Sequence, residues 1–438
     1  MFSTPEMLTA VSDASWLRAM LDVEAALAAA EADAGVIPRD AAEAIAAACR
    51  ADLFDPAALG MAAVAAGNPV IPLVEALTAA IPPDAAQFVH FGATSQDILD
   101  TSAMLIICRA LDRVLADLDA VAAACATLAG EHRATLMAGR TLLQQAVPIT
   151  FGLKAANWLT AVTESRARLA DVRQTRLAVQ FGGAAGTLAS LGDSGVVVMA
   201  GLATRLGLGD PPMPWHTNRV RIAEIGSALA IAVGVVGKIA LDVVLLAQSE
   251  VGELAEPAAP GRGRSSAMPQ KRNPVGAVAV RACVLRANAL AGLLFAAMAQ
   301  EHERAAGAWQ AEWEPLSELL SVTAAAFARS RELLDGLRVD ADRMARNLQA
   351  GGGLAMAEAV MGAFAAKAGH TSARATIRAV SLGAQADGVP FREALLADPT
   401  TRASLSEQEI DAALDPAHYL GSTNAFIDRA LAAYRALR

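Results

Sequence analysis

The chain has 438 residues and a formal net charge of −9 at pH 7, and 54% of its residues are hydrophobic while only 4% are aromatic. Alanine, the strongest helix former, dominates the hydrophobic residues, so the composition favours an all-α protein. The acidic balance argues against nucleic acid as a partner. A signal peptide is not predicted, because no basic segment precedes an apolar run near the N-terminus. The four cysteines form no close pair, which is typical of buried thiols in a reducing cytoplasm.

The length is compatible with about three domains, and turn-forming residues divide the chain accordingly. The first stretch predicts a small helical domain with turns at Pro38 and at Pro82–Pro83. A central domain of long helices follows, and the glycines at 351–353 mark the boundary into a C-terminal helical domain. The three predicted helical domains span residues 1–100, 101–345 and 346–438.

The central domain contains a helical seam in which apolar side chains recur every three or four residues. Helices are also predicted at about 149–178, 275–304 and 315–336. One chain alone cannot cover bundle seams of this length, so we expect the long helices to form an oligomeric core. The seam residues are Ile107, Leu111, Val114, Leu118, Val121, Cys125 and Leu128.

A second seam predicts one very long helix from residue 216 to 256, about 60 Å at 1.5 Å per residue, which Pro257 ends. Its apolar run is too short to span a membrane, because charged residues interrupt it. Continued past Leu246, the seam places Glu250 and Glu253 on the core-facing stripe, where an unpaired carboxylate is costly. We therefore predict that these glutamates, Glu250 above all, meet cations at a functional site. The seam residues are Ile222, Ile225, Leu229, Ala232, Val236, Ile239, Val243 and Leu246.

The segment from Gly263 to Pro274 reads G-R-S-S-A-M-P-Q-K-R-N-P and is too polar for a core. Its prolines exclude a helix interior, so it predicts a long ordered loop, and such loops are usually functional. We call it the signature loop. Cations cluster in and beside it although the protein is acidic, which indicates an anionic small substrate. These cations are Arg262, Arg264, Lys271 and Arg272, with Arg281 and Arg286 further on.

The signature loop resembles that of the fumarase/aspartase superfamily, G-S-S-x-M-P-x-K-x-N-P, except that Arg264 stands where the superfamily usually has glycine. The resemblance implies that Ser265 transfers a proton at carbon and that Lys271 stabilises the resulting anion. It also implies substrate contacts for three further loop residues, namely Ser266, Met268 and Asn273.

Residues 90–97, H-F-G-A-T-S-Q-D, are similar to the T-S-x-D motif of the superfamily. The similarity implies that Thr94 and Ser95 hold a substrate carboxylate. From the residues alone, Thr94 and Asp97 could equally form a capping box at a helix start. His90 is predicted to contact substrate or to form a supporting hydrogen bond.

Residues 139–144, G-R-T-L-L-Q, are similar to the G-R-T-H-x-Q motif, which implies substrate contacts for Arg140, Thr141 and Gln144. Leu142 stands where many lyases of the superfamily have histidine, and leucine has no proton to give. The proton donor for an amine leaving group is therefore missing, which argues against an adenylosuccinate or argininosuccinate lyase. The glycine-rich turn at 180–187 is also similar to the superfamily and lacks the dinucleotide-binding pattern.

The segments 214–219 and 300–313 resemble a cycloisomerase branch of the superfamily. Members of that branch close a tricarboxylate diene into a lactone, with a carboxylate of the substrate as the nucleophile, so no histidine is needed for a leaving group. The resemblance implies a small tricarboxylate substrate, a homotetramer, and a second carboxylate contact through Arg304.

Two other functions stay open at this stage. One is a superfamily lyase that releases fumarate, which Leu142 argues against. The other is a non-catalytic scaffold, which the intact Ser265, Lys271 and Asn273 argue against. No set of side chains has metal-ligand spacing, so neither a metal nor another cofactor is predicted.

Overall fold

The computed structural model describes Met1–Ala436, and this part of the chain is mostly helical with few strands, which confirms the all-α prediction. The first six helices are short or medium in length: α1 Pro5–Ala10, α2 Asp13–Asp33, α3 Arg39–Ala48, α4 Pro56–Ala66, α5 Val70–Ala79 and α6 Pro83–Ala86. The middle of the chain contains the long helices: α7 Ser95–Glu131, α8 Phe151–Thr175, α9 Gly195–Leu206, α10 Val220–Leu246, α11 Val275–Ala296 and α12 Trp313–Asp335. The remaining helices are α13 Ala341–Gln349, α14 Ala357–Ala368, α15 His370–Asp387, α16 Phe391–Ala397, α17 Pro399–Ser404, α18 Glu407–Leu414 and α19 Thr423–Ala436.

The strands of the described residues form two small antiparallel pairs. Strands β1 (Leu136–Thr141) and β2 (Gln144–Thr150) make a hairpin that contains the G-R-T-L-L-Q segment. Strands β3 (Leu254–Ala255) and β4 (Arg338–Val339) pair over two residues each. The hairpin fixes where the G-R-T-L-L-Q side chains point, because Thr141 and Gln144 face each other in the register.

Both predicted seams are buried, which confirms that apolar periodicity places α7 and α10 in the core. The seam residues of α10 are at most 5% exposed, and those of α7 at most 7%. Full burial of one such aliphatic side chain contributes about 1.5–3 kcal/mol, so each seam stabilises its helix by several such increments.

The predicted end of the long helix is wrong. Helix α10 ends at Leu246, not near Pro257, and its 27 residues make it about 40 Å long. Gly252 adopts a left-handed conformation, with φ of 61°, and its N–H donates to the carbonyl of Gln248 at 2.7 Å. The chain then folds back, so that the N–H of Glu253 donates to the carbonyl of Leu246 at 2.8 Å. Gly252 tolerates the positive φ of this turn, so the chain reverses direction before it reaches Pro257.

The described residues form two compact units. Unit 1 comprises Met1–Asp119, Ser165–Gly237 and Ala279–Arg329. Unit 2 comprises Ala120–Glu164, Lys238–Val278 and the described chain from Ser330 onward. The division into 1–100, 101–345 and 346–438 along the chain stays a prediction.

Helices α10 and α11 are long and apolar enough to satisfy a length and hydropathy test for membrane spans. Half of the α10 window and a third of the α11 window are buried inside the chain. Core helices of soluble proteins satisfy the same test, so this finding does not indicate a membrane protein.

Candidate active site

In unit 1, the buried carboxylate of Asp97 joins three of the segments that the sequence singled out. It accepts from the backbone N–H of Gly182 at 3.0 Å and of Gly183 at 2.9 Å, in the glycine-rich turn. Nε2 of His216 lies 2.7 Å from Oδ1 of Asp97, and the N–H of Thr94 donates to Oδ2 at 3.0 Å. This bond to the Asp97 side chain is one half of the predicted capping box. The N–H of Asp97 donates to the backbone carbonyl of Thr94, at 2.9 Å, so the other half, through the Thr94 hydroxyl, is not shown. Asp97 therefore holds the T-S-x-D segment in place.

A second buried network of unit 1 surrounds Arg219, which is 2% exposed. Its guanidinium contacts Asp100 at 2.7 Å and 3.1 Å and Glu312 at 2.5 Å. Burial by itself would lower the pKa of Arg219, but the two carboxylates raise it, so the side chain stays charged. The sequence motifs did not predict this network. The position of Arg219, directly before a strongly apolar helix, could have indicated it, because a buried arginine must be paired.

His90 is held by a glutamate that the sequence did not point to. Its Nδ1 lies 2.7 Å from Oε1 of Glu24, on α2, and its backbone is in the left-handed region with φ of 58°. Burial lowers the pKa of His90, while the charge of Glu24 and the hydrogen bond to it raise it more, so the net direction is upward. An imidazolium at this position would add positive charge close in sequence to Thr94 and Ser95.

Thr94 and Arg304, both predicted to bind substrate, are in contact in unit 1. Nη1 of Arg304 donates to Oγ1 of Thr94 at 2.9 Å. Ser95 begins helix α7, whose unpaired N–H groups favour negative charge. The structure thus brings a hydroxyl, a guanidinium and a helix N-terminus together, which are suitable donors for a carboxylate. His302 lies nearby in sequence but is exposed, and its carbonyl accepts from Thr217 at 3.0 Å.

In unit 2, the signature loop is a closed structure with an exposed tip. Its stem is closed by Gly263, whose carbonyl accepts from the backbone N–H and from Nδ2 of Asn273, at 2.9 Å and 3.2 Å. At the base of the loop, Glu256 accepts from the N–H of Gly276 at 3.1 Å and of Ala277 at 2.7 Å, and Nε of Arg262 lies 3.5 Å from the same carboxylate. These contacts connect the two ends of the loop.

Ser265 occupies a position that suits a proton-transferring hydroxyl. Its Oγ accepts from the backbone N–H groups of Met268 at 3.1 Å and of Ala267 at 3.3 Å. Two backbone donors directed at one oxygen stabilise negative charge there. Ser266, Met268 and Lys271 are exposed on the same loop, while Asn273 closes the stem through its side chain.

Arg140 was predicted to bind substrate, but the structure pairs it with a buried carboxylate. Its guanidinium contacts Glu253 at 2.6 Å and 2.9 Å, and Nδ2 of Asn347 donates to the same glutamate at 2.7 Å. Glu253 is fully buried, so this pair anchors the hairpin and neutralises the charge of Arg140.

Glu250 does not occupy the core-facing position that was predicted for it. It is exposed on the turn after α10, and its carbonyl accepts from Nη2 of Arg343 at 2.9 Å. The seam stops at Leu246 because the helix stops there. The prediction that Glu250 above all would be buried against a cation is therefore wrong, because Glu253 is the buried glutamate.

The hairpin tip exposes two leucines in an unusual backbone conformation. Leu142 and Leu143 have φ of 51° and 65°, and they are 97% and 76% exposed. Such a two-residue turn normally contains Asn or Gly, because a side chain in the left-handed region is strained. Thr141 and Gln144 flank the tip and are also exposed. Within residues 1–436, no group of three or more His, Cys, Asp or Glu side chains could hold a metal ion.

Comparisons with known proteins agree with these motifs. A family model described as "Lyase" matches residues 2–288, and one described as "Adenylosuccinate lyase C-terminus" matches residues 353–430. The chain is 50% identical over 434 residues to a 3-carboxy-cis,cis-muconate cycloisomerase of Bradyrhizobium diazoefficiens, which covers 98% of this chain and 96% of the relative. It is 46% identical over 433 residues to a nitrosuccinate lyase of Streptomyces davaonensis, with coverage of 96% and 91%. The crystal structure of 3-carboxy-cis,cis-muconate lactonizing enzyme from Pseudomonas putida is similar with a TM-score of 0.93 and 43% identity, covering 99% of this chain and 98% of that one.

Proposed function

Since this chain belongs to the lyase family of the fumarase/aspartase superfamily, we propose that it is a 3-carboxy-cis,cis-muconate cycloisomerase. In this proposal it closes 3-carboxy-cis,cis-muconate to 4-carboxymuconolactone, a step in the breakdown of protocatechuate through beta-ketoadipate. The catalyst is the protein itself, acting by acid–base chemistry without a cofactor. The free thiols of Cys49, Cys108, Cys125 and Cys283 support a cytoplasmic location.

The reaction takes up one proton. A carboxylate oxygen of the substrate forms a bond to an alkene carbon, the C=C double bond is consumed, and the adjacent carbon, next to another carboxylate, accepts the proton. Negative charge accumulates on that carboxylate as an enolate before protonation. The enzyme therefore needs donors that stabilise the enolate and one group that delivers a proton to carbon.

Ser265 is the proposed proton donor. When its hydroxyl gives up the proton, the alkoxide that remains is stabilised by the N–H groups of Ala267 and Met268, at 3.3 Å and 3.1 Å. The ammonium group of Lys271, on the same loop, stabilises the negative charge of the enolate and of the alkoxide. Solvent then returns the proton to Ser265, which completes the cycle.

Separate groups of donors are assigned to the substrate carboxylates. Thr94, Ser95 and Arg304 hold one carboxylate, supported by the 2.9 Å contact between Arg304 and Thr94. Lys271 and Asn273 hold a second carboxylate. Ser266, Met268, Thr141, Gln144 and His90 are assigned to the surrounding pocket, and Arg140 shapes it by anchoring the hairpin to Glu253.

The observation that carries the proposal is Leu142. A lyase that expels an amine must deliver a proton to nitrogen, and an exposed leucine at this position cannot do so. Ring closure by a carboxylate of the substrate needs no such donor. Leu142 thus favours cycloisomerisation over cleavage of adenylosuccinate or argininosuccinate.

The second candidate is a lyase whose leaving group departs as a stable anion. The nitrosuccinate lyase relative, at 46% identity, favours this candidate. Nitrite is a stable anion and needs no proton in order to leave, so Leu142 does not argue against it. The two candidates differ in whether the proton is added to carbon or removed from it.

We also propose a homotetramer in which each active site combines segments of several copies. Helix α11 leaves large apolar side chains uncovered, with Leu285 75% exposed and Val278 52% exposed. The leucines of the hairpin tip are still more exposed, at 97% and 76%. Large apolar side chains that are exposed in this way support the proposal of an interface with further copies. Mixing a Ser265→Ala protein with a Thr94→Ala protein should restore activity if those residues meet across copies, whereas an active monomer in light scattering would contradict the tetramer.

A spectroscopic assay tests the function directly. The purified protein should remove the ultraviolet absorbance of the 3-carboxymuconate diene, and it should do so in excess EDTA. It should cleave neither adenylosuccinate nor argininosuccinate. Release of fumarate from nitrosuccinate without loss of the muconate absorbance would replace the first candidate with the second, and loss of activity with EDTA would reveal a required metal ion.

A further inference from the structure

Arg264 stands where the superfamily usually has glycine, but the backbone of the signature loop does not require glycine at this position. The glycine that the stem needs is Gly263, which has φ of 67° and whose added Cβ would lie 2.4 Å from the carbonyl oxygen of Asn273. Arg264 follows it and is not among the residues with positive φ. A side chain is therefore tolerated at 264 without strain, so the choice of arginine there has to be explained by what the side chain does.

Arg264 faces a second arginine across the stem. Arg264 and Arg272 form an antiparallel bridge, next to the bond from the N–H of Asn273 to the carbonyl of Gly263. In such a pair, the Cα atoms are about 4.5 Å apart and the side chains leave on the same face. Two like charges opposite each other are destabilising, so the free loop contains a repulsion that an anion between the guanidinium groups would relieve.

Nothing within the described residues relieves this repulsion. Both arginines are exposed, and neither guanidinium has an ion-pair or hydrogen-bond partner in the part of the chain that the structure describes. By contrast, Arg262 at the base of the loop lies beside Glu256, at 3.5 Å. Lys271 adjoins the pair and is exposed as well. Three unpaired cations thus lie on one short loop of a chain whose net charge is −9.

We infer that Arg264 and Arg272 form a clamp for the third carboxylate of the substrate, and that this clamp makes the enzyme selective for tricarboxylates over dicarboxylates. The inference rests on the proposed function, in which Thr94 and Arg304 hold one carboxylate and Lys271 and Asn273 a second. Two guanidinium groups side by side offer parallel N–H donors that match a carboxylate. A dicarboxylate lacks the group that would relieve the repulsion, so it gains nothing from the clamp.

The test compares paired substrates and paired ligands on matched variants. Arg264→Gly restores the residue of the superfamily pattern, Arg272→Gln removes the other half of the clamp, and Arg264→Lys keeps the charge but loses the planar fork. Arg374→Ala is the control, because Arg374 is an exposed arginine of α15 outside the loop. Circular dichroism should be the same for all four variants and the wild type, and thermal unfolding should show no loss of stability in any of them.

Kinetics and binding each give a readout. For 3-carboxymuconate, Arg264→Gly should raise KM so that kcat/KM falls by roughly 10- to 100-fold, the scale of a hydrogen bond to a charged group. For cis,cis-muconate, which lacks the third carboxylate, any activity should change less than threefold. In calorimetry, the same variant should lose affinity for tricarballylate but not for glutarate, the matching dicarboxylate. Arg272→Gln should behave alike, Arg264→Lys should lie between, and Arg374→Ala should match the wild type.

The possible outcomes distinguish failure of the clamp from failure of the proposed function. If the wild type turns over 3-carboxymuconate and Arg264→Gly matches Arg374→Ala with every ligand, the clamp is refuted and the cycloisomerase stands. Equal losses for tricarboxylates and dicarboxylates would also refute it, since they would show a general attraction for anions. If the wild type does not act on 3-carboxymuconate, the proposed function fails, and the comparison of tricarballylate with glutarate still decides whether the clamp exists.

Discussion

The network around Arg219 and the signature loop both gather charged side chains, but they treat those charges in opposite ways. In the network, the guanidinium and the carboxylates of Asp100 and Glu312 are buried and satisfy one another at 2.5–3.1 Å. In the loop, Arg264, Lys271 and Arg272 are exposed and no carboxylate pairs with them within the described residues.

The difference follows from the cost of an unpaired charge in each place. In the interior, an unpaired charge costs several kcal/mol, so buried groups must be paired by the protein itself. At the surface, water solvates the charge at little cost, so a cation can be left available for a ligand. The network therefore belongs to the framework around the T-S-x-D segment, whereas the exposed cations of the loop are available for the substrate that we propose.

Removing the centre of the network should have the largest effect. Arg219→Met leaves Asp100 and Glu312 buried without their cation, so we expect a loss of about 3–5 kcal/mol in the free energy of unfolding. Arg264→Met, in the loop, should change it by less than about 0.5 kcal/mol. Urea denaturation of both variants measures the contrast. A loss below about 1 kcal/mol for Arg219→Met would mean that the buried pairs are not structurally important.

Glu31 is a buried carboxyl group that no cation neutralises in the part of the chain that the structure describes, and it sharpens the comparison. It is fully buried, neither oxygen has a hydrogen-bond partner within residues 1–436, and burial raises its pKa to about 9. The native state keeps this proton while the unfolded state releases it above about pH 4.3, so native stability is lost as pH rises toward 9. Glu31→Gln removes the titration. Its stability relative to wild type should therefore increase by about 3 kcal/mol between pH 4.5 and pH 7.

Unfolding at several pH values tests this expectation, with Glu253→Gln as the matched control. Glu253 is equally buried but is paired with Arg140 and Asn347, so its replacement should destabilise the protein at neutral pH. A pH-independent difference between Glu31→Gln and wild type would show that Glu31 is ionised at neutral pH in the native state.

In the loop, Ser265→Ala should lower kcat by roughly 100-fold or more, the usual contribution of a general acid or base. Thermal unfolding should be unchanged, because Ser265 Oγ contacts only exposed backbone of the loop itself. Ser249→Ala, an exposed serine on the turn after α10, is the control and should retain full activity. Turnover close to wild type in Ser265→Ala would remove Ser265 from the mechanism.

The smallest expected effect concerns the hairpin tip, where the exposed groups are apolar and not charged. Leu143 has φ of 65°, which glycine adopts without strain, so Leu143→Gly should stabilise the isolated fold by about 0.5–1 kcal/mol. Leu143→Ala keeps the strained Cβ and should show no such gain. If both variants instead weaken assembly in light scattering, the leucine contacts another copy, as the tetramer requires. If Leu143→Gly destabilises the fold without affecting assembly, the strain argument is wrong.

Much of the fold could be predicted because burial imposes a period on the sequence. The α7 and α10 seams were read from three- and four-residue spacing, and their members are buried as expected. The end of α10 could not be predicted in the same way. The chain leaves the helix and folds back through a turn at Gly252, which has positive φ, and this brings Glu253 to Arg140, far away in sequence.

The features of the candidate site can likewise be separated into those that local sequence determines and those that depend on the fold. By itself, the sequence determined the all-α class, the apolar seams and the signature loop with its serine and cations, because local composition and spacing carry that information. Only the tertiary structure decided that Arg140 is paired with a buried carboxylate, that Glu24 holds His90, and that Asp97 joins three distant segments. These are contacts between residues far apart along the chain. Pairing of a buried charge depends on which partner the fold brings within hydrogen-bond distance, and no local pattern records that partner.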